Sequence, residues 1–227
     1  MIPWRLLDQT PVPGRGGELR LYARGEEFSI RVDGQELMNS RAYATEDALS
    51  RLGCKRIRER KAARVLIGGL GMGFSLATAL DELANDAEVV VAELVASVVE
   101  WNRTQLGHLA GHPLRDQRVM VRQADVAQVI AERSAAYDAI LLDVDNGPEA
   151  MTRPENDWLY GGAGLASARK ALRPRGVLGV WSAGPDRSFV RRMHAAGFDV
   201  QEVTVTARGH GRGARHVIWL GTPRERG

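Results

Sequence analysis

The sequence contains little cysteine, little lysine and no long apolar run. Cys54 is the only cysteine among 227 residues, so no internal disulfide can form, and this predicts a reducing, cytoplasmic location. No apolar stretch approaches the roughly 20 residues that cross a bilayer, which predicts a protein without membrane contact. The net charge is +3 and the 31 basic residues are almost all arginine, so the charge does not favour a nucleic-acid partner.

The first 60 residues lack the regular pattern of the remainder. Residues 1–17 carry three prolines and three glycines, which predicts an irregular arm. Residues 18–37 alternate apolar and polar side chains around an Arg-Gly-Glu turn, which predicts a β-hairpin. Residues 45–60 have helical spacing, with Thr45 as the predicted N-cap.

From residue 63 onward, short apolar runs alternate with segments of helical spacing. The predicted strands are 64–67, 88–92, 118–122, 139–143, 176–181, 200–207 and 216–220, and the predicted helices are 73–83, 95–105, 126–133, 164–172 and 187–196. This alternation predicts an α/β, Rossmann-like fold with a mostly parallel sheet of seven strands and helices on both faces. The last two strands are predicted to form an antiparallel C-terminal hairpin. This layout resembles that of class I S-adenosylmethionine-dependent transferases.

Residues 65–80 predict a nucleotide-binding loop. An apolar strand stops at a glycine cluster, and an Ala/Leu-rich helical segment follows. Glycine permits positive φ and a close ligand approach, and a helix N-terminus presents free N–H groups. Glu93 ends the next strand about 20 residues later, the spacing at which an acid meets ribose hydroxyls. The candidate cofactor-binding glycines are Gly68, Gly69, Gly71 and Gly73. Glycines that serve packing alone remain the alternative.

Acidic residues follow three consecutive predicted strands at one edge of the sheet. Glu93 follows the second, Asp125 the third, and Asp143, Asp145 and Asn146 the fourth. Clustered carboxylates are costly unless a cation or a hydrogen-bond donor meets them, so the set favours a ligand site. Asp125 by itself also fits the N-cap of the helix that follows it. No pattern of histidine, cysteine and acid completes a metal site, so no metal is predicted.

From residue 33 to about residue 200, the chain resembles the spermidine synthase-like branch of the class I methyltransferase fold. The similarity lies in the DG turn and in the segments VLIGGLGMG, VAEL, HPLRDQRVMVRQAD and YDAILLDVDNGPEA. The resemblance implies that Glu93 binds ribose hydroxyls, that Asp125 and Ala124 hold adenine, and that the glycine loop passes beneath the nucleoside. Asp143 would face the reacting centre. We accordingly predict an N-terminal unit of residues 1–60 and a nucleoside-binding transferase domain of residues 61–227.

The chain departs from this family at three places. Aminopropyltransferases usually have an aspartate in a GGGDG loop, where this chain has Gly71. Their Asp-Ser-Ser-Asp-Pro motif is DVDNG here, so the second acid is displaced to Asp145 or replaced by Asn146. The tyrosine and glutamine that follow the family's DG turn have no obvious counterpart, and Tyr43, Glu46 and Asp47 lie in that region. A polyamine carries several ammonium groups, so the missing acids weaken the expectation of one.

Three functions are therefore open. Gly71 favours methyl transfer from S-adenosylmethionine to a small-molecule acceptor, with an amine as one candidate. The overall resemblance favours aminopropyl transfer from decarboxylated S-adenosylmethionine, which makes a polyamine. A non-catalytic nucleoside-binding protein is the third. In both transferases Asp143 is the candidate base, and Asp145 or Asn146 orients the acceptor.

Two further predictions concern surfaces. The edge of the hairpin at residues 18–32 is a candidate surface for a homodimer. Residues 147–164 have glycines at both ends and include Trp158, Leu159 and Tyr160, which predicts a lid over the site. The alternative is that these aromatic residues anchor the segment on the core.

Overall fold

The computed structural model of the protein describes residues 2–13, 17–144, 155–207 and 213–224. These residues form two β-sheets, one of four strands and one of seven, with helices packed on the larger sheet. None of the helices in these ranges is long and apolar enough to cross a membrane.

The N-terminal sheet is antiparallel, and its strands follow chain order: β1 (Arg5–Pro11), β2 (Glu18–Arg24), β3 (Glu27–Val32) and β4 (Gln35–Asn39). The predicted hairpin is present as β2 and β3. The irregular arm is a wrong prediction, because residues 5–11 pair with β2. Most of the β1 side chains are exposed, so this strand has no apolar alternation to indicate it. Trp101 Nε1 also donates to Asp8 Oδ2 at 2.7 Å. This hydrogen bond links β1 to a helix that packs on the larger sheet.

The predicted dimer edge is likewise misplaced. β2 and β3 are each paired on both sides, so the outer strands in the described sheet are β1 and β4. The homodimer itself stays a prediction.

The larger sheet has the predicted architecture. In spatial order its strands are β10 (Phe198–Thr206), β11 (Arg215–Pro223), β9 (Leu172–Ser182), β8 (Tyr137–Leu142), β5 (Arg64–Gly68), β6 (Glu88–Glu93) and β7 (Val119–Gln123). Strands β5 to β9 run parallel, and β11 is antiparallel to both β9 and β10. The α/β, mostly parallel seven-stranded fold with an antiparallel C-terminal hairpin is thereby confirmed.

Seven α-helices occur in the described residues: α1 (Ala44–Cys54), α2 (Phe74–Glu82), α3 (Ala96–Arg103), α4 (Val126–Ala131), α5 (Glu155–Tyr160), α6 (Gly162–Ala171) and α7 (Arg187–Ala195). The predicted N-cap Thr45 is wrong, because α1 begins one residue earlier and Tyr43 occupies the cap position. The Thr45 hydroxyl instead donates to Glu46 Oε2 at 2.8 Å.

Two apolar clusters cover the two faces of the larger sheet. Along β5, Val65 and Ile67 belong to one cluster and Leu66 to the other, so the central strand is buried on both sides, as parallel strands usually are. The first cluster continues into Leu21 and Ile30 of the N-terminal sheet. The division at residue 60 stays a prediction.

Candidate active site

The glycine loop joins β5 to α2 at the carboxyl edge of the sheet. Gly69, Gly71 and Gly73 have positive φ values of 84°, 53° and 86°, a region that L side chains rarely adopt. A Cβ on Gly69 would lie 2.7 Å from the backbone oxygen of Asp143, so the loop passes directly against the end of β8. Glycine is therefore required at residue 69 by both backbone conformation and close approach.

Two polar side chains hold this loop in place. Glu93 Oε2 accepts from the backbone N–H of Leu70 at 2.8 Å, and its Oε1 accepts from the N–H of Val95 at 2.8 Å. Asn102 on α3 donates from Nδ2 to the carbonyl oxygen of Gly71 at 2.8 Å. The predicted ribose-binding acid therefore lies against the predicted nucleotide loop.

A cavity of about 150 Å³, called here the donor cavity, opens above the loop. Its polar side chains are the predicted acids Glu93, Asp125 and Asp143. Apolar residues of the N-terminal sheet and its connection cover it from the other side: Val12, Leu19, Ile30, Val32, Leu37 and Met38. Three acids from three strand ends and an apolar cover give a site that suits a nucleoside with a hydroxylated sugar and a flat base.

Asp125 occupies the N-cap of α4. Its Oδ1 accepts from the backbone N–H of Ala127 at 2.8 Å, so the N-cap prediction is confirmed. Asp125 and Ala124 also line the donor cavity. Ala124 is fixed by its N–H, which donates to the Glu93 carbonyl oxygen at 3.1 Å. A role in adenine binding is compatible with the cap and stays a prediction.

A second cavity of about 380 Å³, called here the acceptor cavity, adjoins the first. The two share the lining residues Leu37, Met38, Gly71 and Asp143. The acceptor cavity also contains Glu36 and Glu46, together with the aromatic rings of Phe74, Trp181 and His216. Trp181 and His216 stack with ring centroids 4.9 Å apart. Carboxylates beside aromatic faces make a surface that suits a cationic or amine-bearing molecule.

Asp143 lies at the junction of the two cavities. Its Oδ2 accepts from the Ser75 hydroxyl at 2.9 Å. Burial raises the pKa of Asp143 to about 6, and the Ser75 hydrogen bond opposes that rise. Burial, and next the charge of Asp143, raise the pKa of Glu46 to about 7. Asp143 and Glu46 are close enough for the charge of one to make ionisation of the other less favourable. Such a pair of carboxylates can take up a proton near neutral pH.

The structure brings some of the predicted site residues together and leaves others apart. Gly69, Gly71, Glu93, Ala124, Asp125 and Asp143 all line the donor cavity. Gly68 and Gly73 lie outside both linings: a Cβ on Gly68 would lie 2.9 Å from Val126 Cγ2, and one on Gly73 would lie 2.9 Å from Asn102 Oδ1. Close packing accounts for these two glycines, and their contact with a cofactor stays a prediction.

Asp145 and Asn146 lie outside the described residues, as does the first half of the predicted lid, residues 147–154. Its second half forms α5 and the start of α6. Leu159 and Tyr160 are buried, and the Tyr160 hydroxyl donates to the Val144 carbonyl oxygen at 3.2 Å, whereas Trp158 is exposed. Leu159 and Tyr160 therefore anchor this segment on the core.

Glu46, Ser75 and Met38 are site residues that sequence reasoning did not assign. Ser75 lies two residues after Gly73, the last glycine of the loop, so its position in the first turn of α2 is the one available signal. Glu46 and Met38 come from the N-terminal region and reach the site only through tertiary packing. No group of three or more potential metal ligands occurs among the described residues.

Comparison with solved structures supports the same fold. A spermidine synthase in complex with the transition-state analogue AdoDATO matches with a TM-score of 0.76 and 15% identity, over 97% of this chain and 73% of that one. A spermidine synthase from Thermotoga maritima matches with a TM-score of 0.76 and 14% identity over the same shares. A probable spermidine synthase from Corynebacterium glutamicum ATCC 13032 matches with a TM-score of 0.62 and 18% identity, over 98% and 81%.

No family model matches the sequence, and no curated protein does either. The solved structures show that the chain has the fold of spermidine synthases. The predicted resemblance is confirmed at the level of the fold. At about 15% identity it does not extend to activity or substrate.

Proposed function

We propose that the protein transfers a methyl group from S-adenosylmethionine to a small-molecule acceptor. The observation that carries this proposal is the geometry around Gly71. The three acids of the donor cavity are Glu93, Asp125 and Asp143. The resemblance assigns the aminopropyltransferase aspartate to residue 71, which is a glycine whose Cβ position lies 3.1 Å from Met38 Sδ. Residue 71 therefore provides no carboxylate that could pair with a donor whose tail is a lone ammonium group.

The residues of the chain have distinct roles in this proposal. Glu93 holds the ribose hydroxyls, Ala124 and Asp125 bind the adenine, and Asp143 faces the acceptor. S-adenosylmethionine supplies a methyl group on a sulfonium sulfur, which leaves as a neutral thioether. The acceptor's lone pair forms the new bond to the methyl carbon as the carbon–sulfur bond breaks, and Asp143 takes the acceptor's proton. The protein contributes mainly alignment and proton removal.

An amine is the acceptor class that the acceptor cavity favours. Glu36, Glu46 and Asp143 provide negative charge, and Trp181 and Phe74 provide aromatic faces. An amine binds such a surface as a cation but attacks only when neutral, so a carboxylate of raised pKa is a suitable base. The pKa of Asp143 near 6 meets that need.

Aminopropyl transfer from decarboxylated S-adenosylmethionine is the second candidate. The acidic acceptor cavity and the likeness to solved spermidine synthases favour it. A nucleoside-binding protein without catalysis is the third candidate, because the donor cavity suits a nucleoside whether or not a reaction follows.

Calorimetric titration separates these functions. We expect wild-type protein to bind S-adenosylmethionine more tightly than its decarboxylated form, because residue 71 carries no acid that would repel the carboxylate of the S-adenosylmethionine tail. Tighter binding of the decarboxylated form would overturn methyl transfer in favour of aminopropyl transfer. If S-adenosylmethionine, its decarboxylated form and methylthioadenosine all fail to bind, both transferase proposals are wrong. Binding without methyl transfer to any of a panel of amines supports the non-catalytic reading.

A further inference from the structure

The walls of the two cavities carry carboxylates but no permanent cation. The acceptor cavity contains Glu36, Glu46 and Asp143, and Asp143 is shared with the donor cavity. Although the chain has 31 lysine and arginine residues, none of them lines either cavity in the described ranges. Burial lowers the pKa of His216, the base that lines the acceptor cavity, so its imidazole is neutral near pH 7. Among the described residues, positive charge therefore reaches these carboxylates only as a proton or with a bound molecule.

Hydrogen bonds between α1 and the first turn of α2 fix Glu46 beside Asp143. Ser50 Oγ donates to the carbonyl oxygen of Ser75 at 2.6 Å and fastens the two helices to each other. Ser75 Oγ lies 2.9 Å from Asp143 Oδ2, to which it donates, and 3.5 Å from the carbonyl oxygen of Glu46. Thr45 orients the Glu46 side chain by donating to its Oε2 at 2.8 Å. Each carboxylate is thus held by a hydroxyl, and Ser75 contacts both residues.

These two carboxylates do not ionise together easily. Burial raises the pKa of Asp143 to about 6, and burial together with the charge of Asp143 raises the pKa of Glu46 to about 7. Between these two values Asp143 is ionised and Glu46 is protonated, so the pair holds one proton and one negative charge. The other titratable groups around the pair in the described residues are acids or the neutral imidazole: Asp47 of α1, Glu36 of β4, Glu93 of β6, Asp125 before α4 and His216 of β11.

We propose that Glu46 is the proton-storing partner of Asp143: the two carboxylates share one proton, and a cationic acceptor displaces that proton to the solvent when it binds. The O–H bond of Glu46 breaks, its proton goes to water, and the ammonium group of the acceptor then faces two carboxylates. A second negative charge makes Asp143 a stronger base for the acceptor's proton. The acceptor step rests on the proposed function, whereas the shared proton does not depend on any substrate.

The shared proton is tested on the protein alone, by nuclear magnetic resonance titration of carbon-13-labelled aspartate and glutamate carboxyl groups. We expect Asp143 to titrate first and Glu46 to follow near pH 7. In Asp143→Asn, the acid-dissociation constant of Glu46 should rise about tenfold, because the neighbouring charge is gone.

Urea unfolding at about pH 8 gives a second measurement of the same coupling. Asp143→Asn and Glu46→Gln should each raise the unfolding midpoint, because each removes a buried charge and the repulsion between the two. The double variant removes that repulsion only once, so its rise should be smaller than the sum of the two single rises.

Displacement of the proton is tested with butylamine, a monovalent ammonium ion at neutral pH. At saturating butylamine, the acid-dissociation constant of Glu46 should rise about tenfold, because the bound cation favours the ionised carboxylate. Butanol, which has a similar shape and no charge, is the control ligand and should leave that constant within about twofold.

Glu36→Gln is the matched control variant. Glu36 also lines the acceptor cavity, but its carboxylate accepts from Ser29 Oγ at 2.7 Å and from Asn39 Nδ2 at 2.8 Å. It is not among the main groups that shift the pKa of Asp143 or of Glu46. Its loss should therefore leave both titrations within about threefold of wild type.

Three results would overturn the inference. A Glu46 that titrates near its ordinary pKa of 4.5 in wild type, or additive rises in the urea midpoint, contradicts the shared proton. A Glu46 titration that butylamine does not move contradicts its displacement.

Failure of the proposed function gives a different pattern. If the pair titrates in two coupled steps but no methyl transfer occurs, methyl transfer is wrong and the shared proton stands. Methyl transfer by a protein whose Glu46 titrates independently of Asp143 contradicts this inference alone.

Discussion

Strand β8 has one aspartate near its amino end and is followed by another at its carboxyl end, and the two carboxylates have different partners. Asp138, near its amino end, accepts from Arg60 Nη1 at 2.6 Å, from Arg173 Nη1 at 2.8 Å and from the backbone N–H of Arg64 at 2.8 Å. Asp143 directly follows the carboxyl end, where its carboxylate accepts from Ser75. Within the described part of the chain, no arginine or lysine forms an ion pair with it.

This difference separates a structural carboxylate from one kept for chemistry. Asp138 forms ion pairs with both Arg60 and Arg173, and its side chain is only 4% exposed. Asp143 lies between two cavities beside Glu46, and its pKa is raised to about 6. Leaving a buried acid without a cation costs stability, and such a cost is typical of functional sites.

The largest effect is expected at the structural end of the strand. Asp138→Ala leaves two guanidinium groups and a backbone N–H without their acceptor, so the free energy of unfolding should fall by about 3 kcal/mol. Urea unfolding followed by circular dichroism measures this loss. Asp138→Asn, which keeps an acceptor oxygen, should lose less and serves if the alanine variant does not fold.

Asp199→Ala is the control for an exposed ion pair. Asp199 is 75% exposed and contacts Arg224 at 2.9 Å, so its removal should cost less than about 1 kcal/mol. Equal losses for Asp138 and Asp199 would contradict the structural role of Asp138.

At the other end of the strand, the effect should fall on turnover. If Asp143 removes the acceptor's proton, Asp143→Asn should lower kcat about 100-fold and leave donor affinity within about threefold. Single-turnover assays and calorimetry on the same preparation give the two quantities. A parallel loss of turnover and donor binding would assign Asp143 to binding and remove the base role.

The raised pKa of Asp143 also predicts how stability changes with pH. Between the ordinary value of 3.8 and about 6, the folded state binds more protons than the unfolded state, so stability falls as pH rises through this window. Above pH 7 the full cost is present, and Asp143→Asn should then be more stable than wild type by about 2 kcal/mol. The difference should vanish near pH 4. Urea unfolding at pH 4, 6 and 8 measures it, and a variant less stable than wild type at pH 8 would contradict the account.

Among the changes at Asp143 and its hydrogen-bond partner, the smallest effect is expected at Ser75. Its hydroxyl lowers the pKa of Asp143, so Ser75→Ala should move the acid limb of the pH–rate profile to higher pH and reduce stability by about 1 kcal/mol. Thr78→Ala is the control on the same helix, because the Thr78 hydroxyl donates to Asp47 at 2.8 Å rather than to Asp143. An unshifted profile in Ser75→Ala would show that another group sets the acid limb.

The order of elements and one wall of the site could be predicted from the sequence. Apolar runs that stop at glycine or at an acid mark the ends of buried parallel strands, and these ends meet at one edge of the sheet, so Glu93, Asp125 and Asp143 could be brought together. β1 could not be predicted because its side chains do not alternate. The predicted start of β9 at residue 176 is wrong, because the strand begins at Leu172; Pro174 is more typical of a turn than of a strand and hides the earlier start.

The opposite wall of the site had no local signal. Glu46 lies 29 residues before Ser75 in the chain, and Met38 lies 33 before Gly71, so only tertiary packing brings each pair together. Gly71 could be recognised as unusual from the loop motif, but the residue that covers it could not.

The most direct test of the account is a structure of the protein with S-adenosylmethionine bound. We predict ribose hydroxyls within hydrogen-bond distance of Glu93, the adenine beside Ala124 and Asp125, and the methyl group directed at the acceptor cavity next to Asp143. A nucleoside bound outside the donor cavity, or one whose methyl group faces away from Asp143, would contradict the account.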